Sequence, residues 1–195
     1  MTSVKIDAMG RWEPDAAGRL RVAAMELYAE RGYDRTTVAD IADRAGVTAR
    51  TFFRHFADKR EVLFAGSEEL ERHMVKALAE APASLSAMEA VAVGVLASGD
   101  IFDEIRRDYV RQRSAVVNAT PELRERELIK MASLTTAFTE ALRDRGAAPE
   151  VAALAAETGI AVFRVSFERW ISAPDDVALT DVITSTLTTL SGLTA

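Results

Sequence analysis

The sequence predicts an all-α protein in two parts: an N-terminal three-helix helix-turn-helix module and a C-terminal helical bundle, about nine helices in total. Three observations predict it. Alternating β-branched runs are missing, while Ala, Leu, Glu and Arg dominate, so the pattern has the period of helices rather than strands. Glycines, prolines and capping residues punctuate the chain at helical intervals. Charge also divides it: residues 1–60 hold 11 Lys/Arg against 9 Asp/Glu, whereas residues 61–195 hold 13 against 21. A short, slightly basic module followed by an acidic body is the simplest account of a net charge of -6.

Composition narrows the class further. The 195 residues are 49% hydrophobic and 28% charged, an ordinary globular balance. With no cysteine, disulfides, thiolate zinc sites and cysteine nucleophiles are excluded, which fits a reducing cytoplasm. The start, MTSVKIDAMGRWEPD, lacks the apolar stretch of a signal peptide, and the longest nearly apolar run, AVAVGVLA from Ala90, is far short of the ~20 residues that span a bilayer. The expectation is a soluble cytoplasmic protein with no membrane partner.

Taken in order, residues 1–14 read as a flexible arm, 15–62 as the helix-turn-helix domain and 63–195 as a domain for ligand binding and dimerisation. The first helix is expected from Asp15 to Arg31, with Leu20, Ala24, Leu27 and Tyr28 on one face and Gly32 as its stop. Thr37 caps a short second helix, with Asp40 three residues on as a capping box, and Gly46 ends it. Thr48 caps a third helix running to Phe56. Asp58 and Glu61 repeat the capping pattern for a fourth, continuous from Lys59 through Val62, Leu63, Leu70 and Met74 to Glu80. In the body, helices are expected over Leu85–Ala97 and Ile101–Asn118. Thr120-Pro121-Glu122 opens one with the stripe Leu123, Leu128, Met131, Leu134, Phe138 and Leu142, ending at Gly146. Pro149 opens another, to Ser172, and Pro174 with two aspartates opens the last, striped by Leu179, Ile183, Leu187 and Leu190.

The stretch AGVTARTFFRHFADK, Ala45–Lys59, combines three phenylalanines with four basic side chains or imidazoles. Winding it at about 3.6 residues per turn separates them. Phe52 and Phe56 share an inner face with Ile41, Ala42, Ala45 and Val47; Arg50 and Arg54 point the other way, flanked by Thr51 and Phe53, with His55 near the boundary. Gly46 supplies the turn, where positive φ suits only glycine. Two short helices so joined make a helix-turn-helix, and the outer face suits a DNA major groove, where guanine acceptors meet Arg and thymine methyls meet apolar groups. Thr37, Thr48 and Lys59 lie at expected helix starts, where backbone N–H groups favour phosphate.

Thr36 to Leu63, TTVADIADRAGVTARTFFRHFADKREVL, resembles the N-terminal module of the tetracycline-repressor (TetR) family of bacterial transcriptional regulators. The resemblance rests on the Thr pair, Ile-Ala-x-x-Ala-Gly-Val-Thr, the Thr-aromatic-aromatic-x-His-Phe run and the lysine after it, and with the helix before it covers about Ala16 to Ala65, roughly a quarter of the chain. It implies an all-α homodimer whose N-terminal module binds palindromic double-stranded operator DNA, usually as a repressor, and whose C-terminal domain dimerises and binds a small inducer. By position it implies DNA-backbone contacts from Thr37, Thr48, Phe53, His55 and Lys59, and base-facing roles for Ala49, Arg50, Thr51 and Arg54. Arg50 stands where the family often has a small residue, and Phe53 where tyrosine is common, so the operator is this chain's own.

In the body, Met74, Phe102, Tyr109, Met131, Phe138 and Phe163 are candidates to line an apolar ligand pocket, although each alone also reads as ordinary core. Arg106, Arg107, Arg111 and Arg113, interleaved with Tyr109, read either as an anion site or as a solvated face. The helix over Glu150–Trp170 is apolar on more than one side and needs a second cover, which a partner subunit would supply. Phe167, Trp170, Ile183, Leu187 and Leu190 are the interface candidates. A ligand would act through the continuous fourth helix as a lever. No enzyme is expected and no cofactor: His55 and His73 are preceded at three residues by Phe52 and Leu70, so the Glu-x-x-His pairs of a di-iron bundle are missing, as is any glycine-rich phosphate loop. The alternative is a helical adaptor whose exposed third helix binds protein instead of DNA.

Overall fold

The computed structural model describes residues 16–103 and 105–193; the expected arm over 1–14, and Asp15 as the first helical residue, lie outside them. Every regular element among the described residues is helical. In order these are α1 (Ala16–Arg31), α2 (Val38–Arg44), α3 (Ala49–His55), α4 (Ser67–Glu80), α5 (Ala87–Leu96), α6 (Ser98–Phe102), α7 (Arg107–Ala119), α8 (Pro121–Asp144), α9 (Pro149–Ser172) and α10 (Leu179–Leu193). Only Ala97 separates α5 from the five-residue α6, so the pair accounts for the tenth segment. Contacts divide the chain into two compact units after Leu63.

In the first unit α1 buries Leu20, Ala23, Ala24, Leu27 and Tyr28, and α2 and α3 close against it with Ile41, Ala42 and Phe52. The turn between α2 and α3 relies on Gly46 at φ 66°, a conformation other residues adopt only under strain. Arg44, in the last turn of α2, forks onto Glu30 (2.8 and 2.9 Å) and reaches Glu26 (3.1 Å), tying α2 to α1.

The fourth helix starts later than its capping signal suggests. Asp58 does accept the N–H groups of Arg60 and Glu61, at 2.8 and 3.2 Å, but the residues it caps form turns over 59–66. The α-helix begins at Ser67, after Gly66 at φ 90°. The continuous lever from Lys59 is therefore overturned, because a left-handed residue interrupts the helical hydrogen bonds.

The second unit is built from α4, α5, α8, α9 and α10 around Met74, Leu78, Val91, Val95, Phe138, Phe163 and Leu179. The first body helix is capped by Ser86 with Glu89, a reciprocal capping box. The helix expected over Ile101–Asn118 is divided: Ile101 and Phe102 end α6, and α7 starts at Arg107. Leu128, expected on the core stripe of α8, faces outward instead. Packing is closest where α9 meets α5: a Cβ built on Gly159 would stand 2.1 Å from Val91 Cγ1. Only a residue without a side chain lets those helices approach so far.

Candidate nucleic-acid interface

The capping hydroxyls fix where α3 begins and therefore what it presents. Thr48 Oγ1 accepts the Thr51 N–H at 3.1 Å and lies 3.1 Å from Thr51 Oγ1. One proton lies between these two hydroxyls, which leaves one O–H to donate outward. From that start, Phe52 falls inward at 0% exposure, with its ring edge-on to Phe53 (5.5 Å, 80°) and 5.7 Å from Phe56. The opposite face carries Ala49, Arg50, Phe53, Arg54 and His55, all exposed, with Thr51 half-buried at its edge. Phe53 leaves 58% of its surface in solvent although it is wholly apolar. Arg50 makes no side-chain hydrogen bond or ion pair among the described residues, while Arg54 donates to His55 Nε2 at 3.4 Å. His55 is thus at the surface, not tucked into the joint.

Two of the expected phosphate anchors are differently employed. Thr37 has a complete capping box: its hydroxyl and its backbone N–H both donate to Asp40 Oδ2 (2.7 and 2.8 Å), and its oxygen accepts the Asp40 N–H at 3.2 Å. These bonds hold the Asp40 carboxyl below the usual carboxylate range, with Arg31 at 3.5 Å adding to the effect, so α2 starts beside a firm negative charge. Lys59 is not at a helix start, because α4 begins eight residues later. Its ammonium donates to the carbonyls of Tyr33 (2.9 Å) and Thr36 (3.0 Å) and sits 4.1 Å from the centre of the Tyr33 ring. Tyr28 in turn donates to the Lys59 carbonyl at 2.7 Å, and burial pushes its phenol well above the usual range. Lys59 is therefore a staple across the α1–α2 connection, with one of its three N–H donors left over.

That staple, and the Arg44 fork, are missing from the sequence reading. The fork had a usable signal: Glu26 and Glu30 are four apart, hence on one face of α1. The staple had none, since it joins residues up to 31 positions apart through backbone oxygens.

The geometry is that of a reading helix presented on a small rigid module. Residues 20–65 match the family described as bacterial regulatory proteins, tetR family. The N-terminal module is thus similar to the DNA-binding module of TetR-family transcriptional regulators. That match favours DNA binding over the adaptor reading for the N-terminal module. Among similar proteins, the regulator TcmR of Streptomyces glaucescens is 40% identical over 68 residues, 35% of this chain and 30% of TcmR. The transcriptional repressor KstR2 of Mycobacterium tuberculosis is 46% identical over 46 residues, 24% of this chain and 23% of its own. The chain thus matches less than a third of the length of either relative. The structure of the Bacillus subtilis regulator FadR, solved with stearoyl-CoA, covers 87% of this chain and 95% of its own, with TM-score 0.59 at 18% identity; this likeness is one of fold.

The body candidates separate into two places. Phe102 and Phe163 come together (6.5 Å) in a cluster with Phe167 and Trp170, centroids 5.1–6.5 Å apart. Met74 and Phe138 instead are sealed core beside Gly94, where a Cβ would meet Met74 O and Phe138 Cζ at 3.0 Å. Tyr109 and Met131 are half-buried. The arginine run is committed to structure. Arg107 donates to the carbonyls of Pro174 and Val177 and stacks on Trp170 at 4.2 Å. Arg111 donates to Ile171 and Ala173 (2.7 Å each) and pairs with Asp175 at 2.8 Å, and Arg113 pairs with Glu127 at 2.8 Å. The anion-site reading loses Arg107, Arg111 and Arg113 to these bonds, while Arg106 stays at the surface beside Asp108, 3.6 Å away. Two interface candidates also fail: Trp170 is 2% exposed, with its indole N–H on the Val177 carbonyl, and Ile183 is 0% exposed. Both belong to the protomer's own core; Phe167, Leu187 and Leu190 are half-buried. No helix among the described residues is long and apolar enough to cross a membrane.

Proposed function

We propose that the protein is a cytoplasmic repressor that binds a palindromic operator as a homodimer and is released by a small apolar molecule held in the body. The observation that carries this reading is the division of α3: Phe52 wholly inside, with Arg50, Phe53 and Arg54 together outside. In the major groove Arg50 and Arg54 would donate to guanine, and Ala49, Thr51 and Phe53 would lie against base edges and thymine methyls. The outward hydroxyl of the Thr48–Thr51 pair, His55 and the remaining Lys59 donor would meet phosphate, as would the free N–H groups after Thr37. Two half-sites a helical turn apart call for two copies. The aromatic cluster of Phe102 and Phe163 supports an apolar ligand, as does the stearoyl-CoA bound by FadR.

The test is fluorescence anisotropy against DNA from upstream of the protein's own gene, repeated over a salt series. Binding that weakens steeply with salt is expected. Arg50→Ala should cost about 1–3 kcal/mol on the preferred site and relax choice at one base pair. Equal losses on scrambled DNA would remove Arg50 from base reading, and no affinity at any salt would revive the adaptor.

A further inference from the structure

The outward face of α9 carries apolar side chains that nothing among the described residues covers: Val151, Leu154 and Val165 are exposed, Leu154 at 70%. At about 100° per residue, Leu154, Ala161 and Glu168 fall on one line to within roughly 20°, and this line is the crest of the exposed face. Glu157 and Arg164 both flank the crest on one side; Thr158 and Val165 flank it on the other. Neither Glu157 nor Arg164 has an ion-pair or hydrogen-bond partner for its side chain among the described residues.

We infer that α9 packs antiparallel on α9 of a second copy, crossing at Ala161, with Glu157 of each copy paired to Arg164 of the other. This rests on the homodimer proposed above and fixes which surface makes it and in what register. A two-fold axis that relates two antiparallel helices places position 161+n of one copy at the height of 161−n on the other, and leaves each flank on its own side. Glu157 lies four residues before the crossing and Arg164 three after it, so they meet on the same flank within one step of about 1.5 Å along the axis. The pair forms twice. Thr158 meets Val165 on the other flank, and Ala161 meets itself, the smallest side chain on the crest standing where the axes come closest. A parallel pairing exchanges the flanks and sets Glu157 and Arg164 opposite Thr158 and Val165 of the other copy, which leaves both charges unpaired at the contact.

The neighbouring helix leaves the choice to these charges. Hydroxyls along the outer side of α10 donate to carbonyls of their own helix: Thr184 to Thr180, Thr188 to Thr184, Thr189 to Ser185 and Ser191 to Leu187, at 2.8–3.2 Å. With those protons engaged, that face offers a partner few directional donors. Arg169 is likewise engaged, on Thr186 at 2.8 Å.

Sedimentation equilibrium of the full chain, its Glu157→Arg and Arg164→Glu variants, and an equimolar mixture of the two variants tests the register. Each single variant should dimerise at least about tenfold more weakly than the parent, since like charges then face each other twice. The mixture should recover the parent's affinity as a heterodimer, and the doubly exchanged chain should recover it as a homodimer. Both sites are exposed, so melting of a diluted, monomeric sample should be unchanged. Single variants as tight as the parent, or a mixture no tighter than its components, overturn the register while leaving the homodimer standing. A parent that stays monomeric at micromolar concentration, or one whose α9 face is protected only by a different protein, overturns both.

Discussion

In the reading module α2 and α3 have seven residues each, whereas α8 and α9 in the body have 24. Helices of two turns have almost no stability alone, because a few hydrogen bonds must offset a costly nucleus. The module compensates with directional bonds placed at its chain ends: the capping box of Thr37 and Asp40, the Thr48 cap, the Arg44 fork and the Lys59 staple. The body relies instead on apolar surface and on close backbone approach at Gly159 and Gly94. Directional bonds orient a reading face to within a fraction of an ångström. Apolar packing tolerates variation, which suits the region proposed to take a ligand and a second copy.

The comparison is broken most severely by Phe52→Ala. A fully buried aromatic truncated in so small a unit should cost about 3–5 kcal/mol, more than a few caps can supply. DNA binding and the amide protection of α2 and α3 should be lost, while Trp170 fluorescence, read in a Trp12→Phe background so that it reports the body alone, should stay native. Survival of both would mean that the polar bonds alone hold the module.

In the body the equivalent lesion adds volume. Gly159→Ala forces its new methyl against Val91 Cγ1, and such overpacking costs about 1–3 kcal/mol. Thermal unfolding should register it as a lowered midpoint. A midpoint at or above the parent's would show that Val91 rotates away and that the α5–α9 contact is looser than drawn.

These two regions were also unequally legible in the sequence. Spacing in the module was specific, since Thr37, Gly46, Thr48 and Phe52 each occupy a position that only a few residue types can fill, and the structure puts Phe52 in and Arg50 out. The capping signal of Asp58 is a true cap, but it closes a turn and not a helix, since the same bonds serve either. In the body, periodicity says that a residue faces an apolar neighbour and not which one. Periodicity alone thus points Trp170 and Ile183 at a partner although their own protomer covers them, and Leu128 at a core it does not reach. The bonds of Arg107 and Arg111 cross 60 to 70 positions to backbone oxygens, which carry no side-chain signature.

A smaller effect is expected at the start of the reading helix. Thr48→Ala removes the oxygen that accepts the Thr51 N–H and should cost about 0.5–2 kcal/mol. Hydrogen exchange should speed up in α3 before it does in α1; equal acceleration in both would mean that the cap supports the whole module instead of its own helix.

The finest comparison uses one motif that occurs in both regions. Asp40 with Thr37 and Glu89 with Ser86 are both reciprocal capping boxes, and in each the hydroxyl and the backbone N–H of the cap hold the carboxyl below its usual range. A carboxyl whose folded value is lowered contributes stability above its unfolded value, near pH ~4, and loses it as pH falls through the folded one. Melting temperatures of Asp40→Asn and Glu89→Gln should therefore lie below the parent's at neutral pH and converge on it as pH drops below about 4. The gap should be wider for Asp40. Its helix has two fully turned-in residues, Ile41 and Ala42, while α5 is also held by Ala90, Val91, Gly94 and Val95. An equal gap at the two sites would mean that a cap matters as much to a packed helix as to one that has little else.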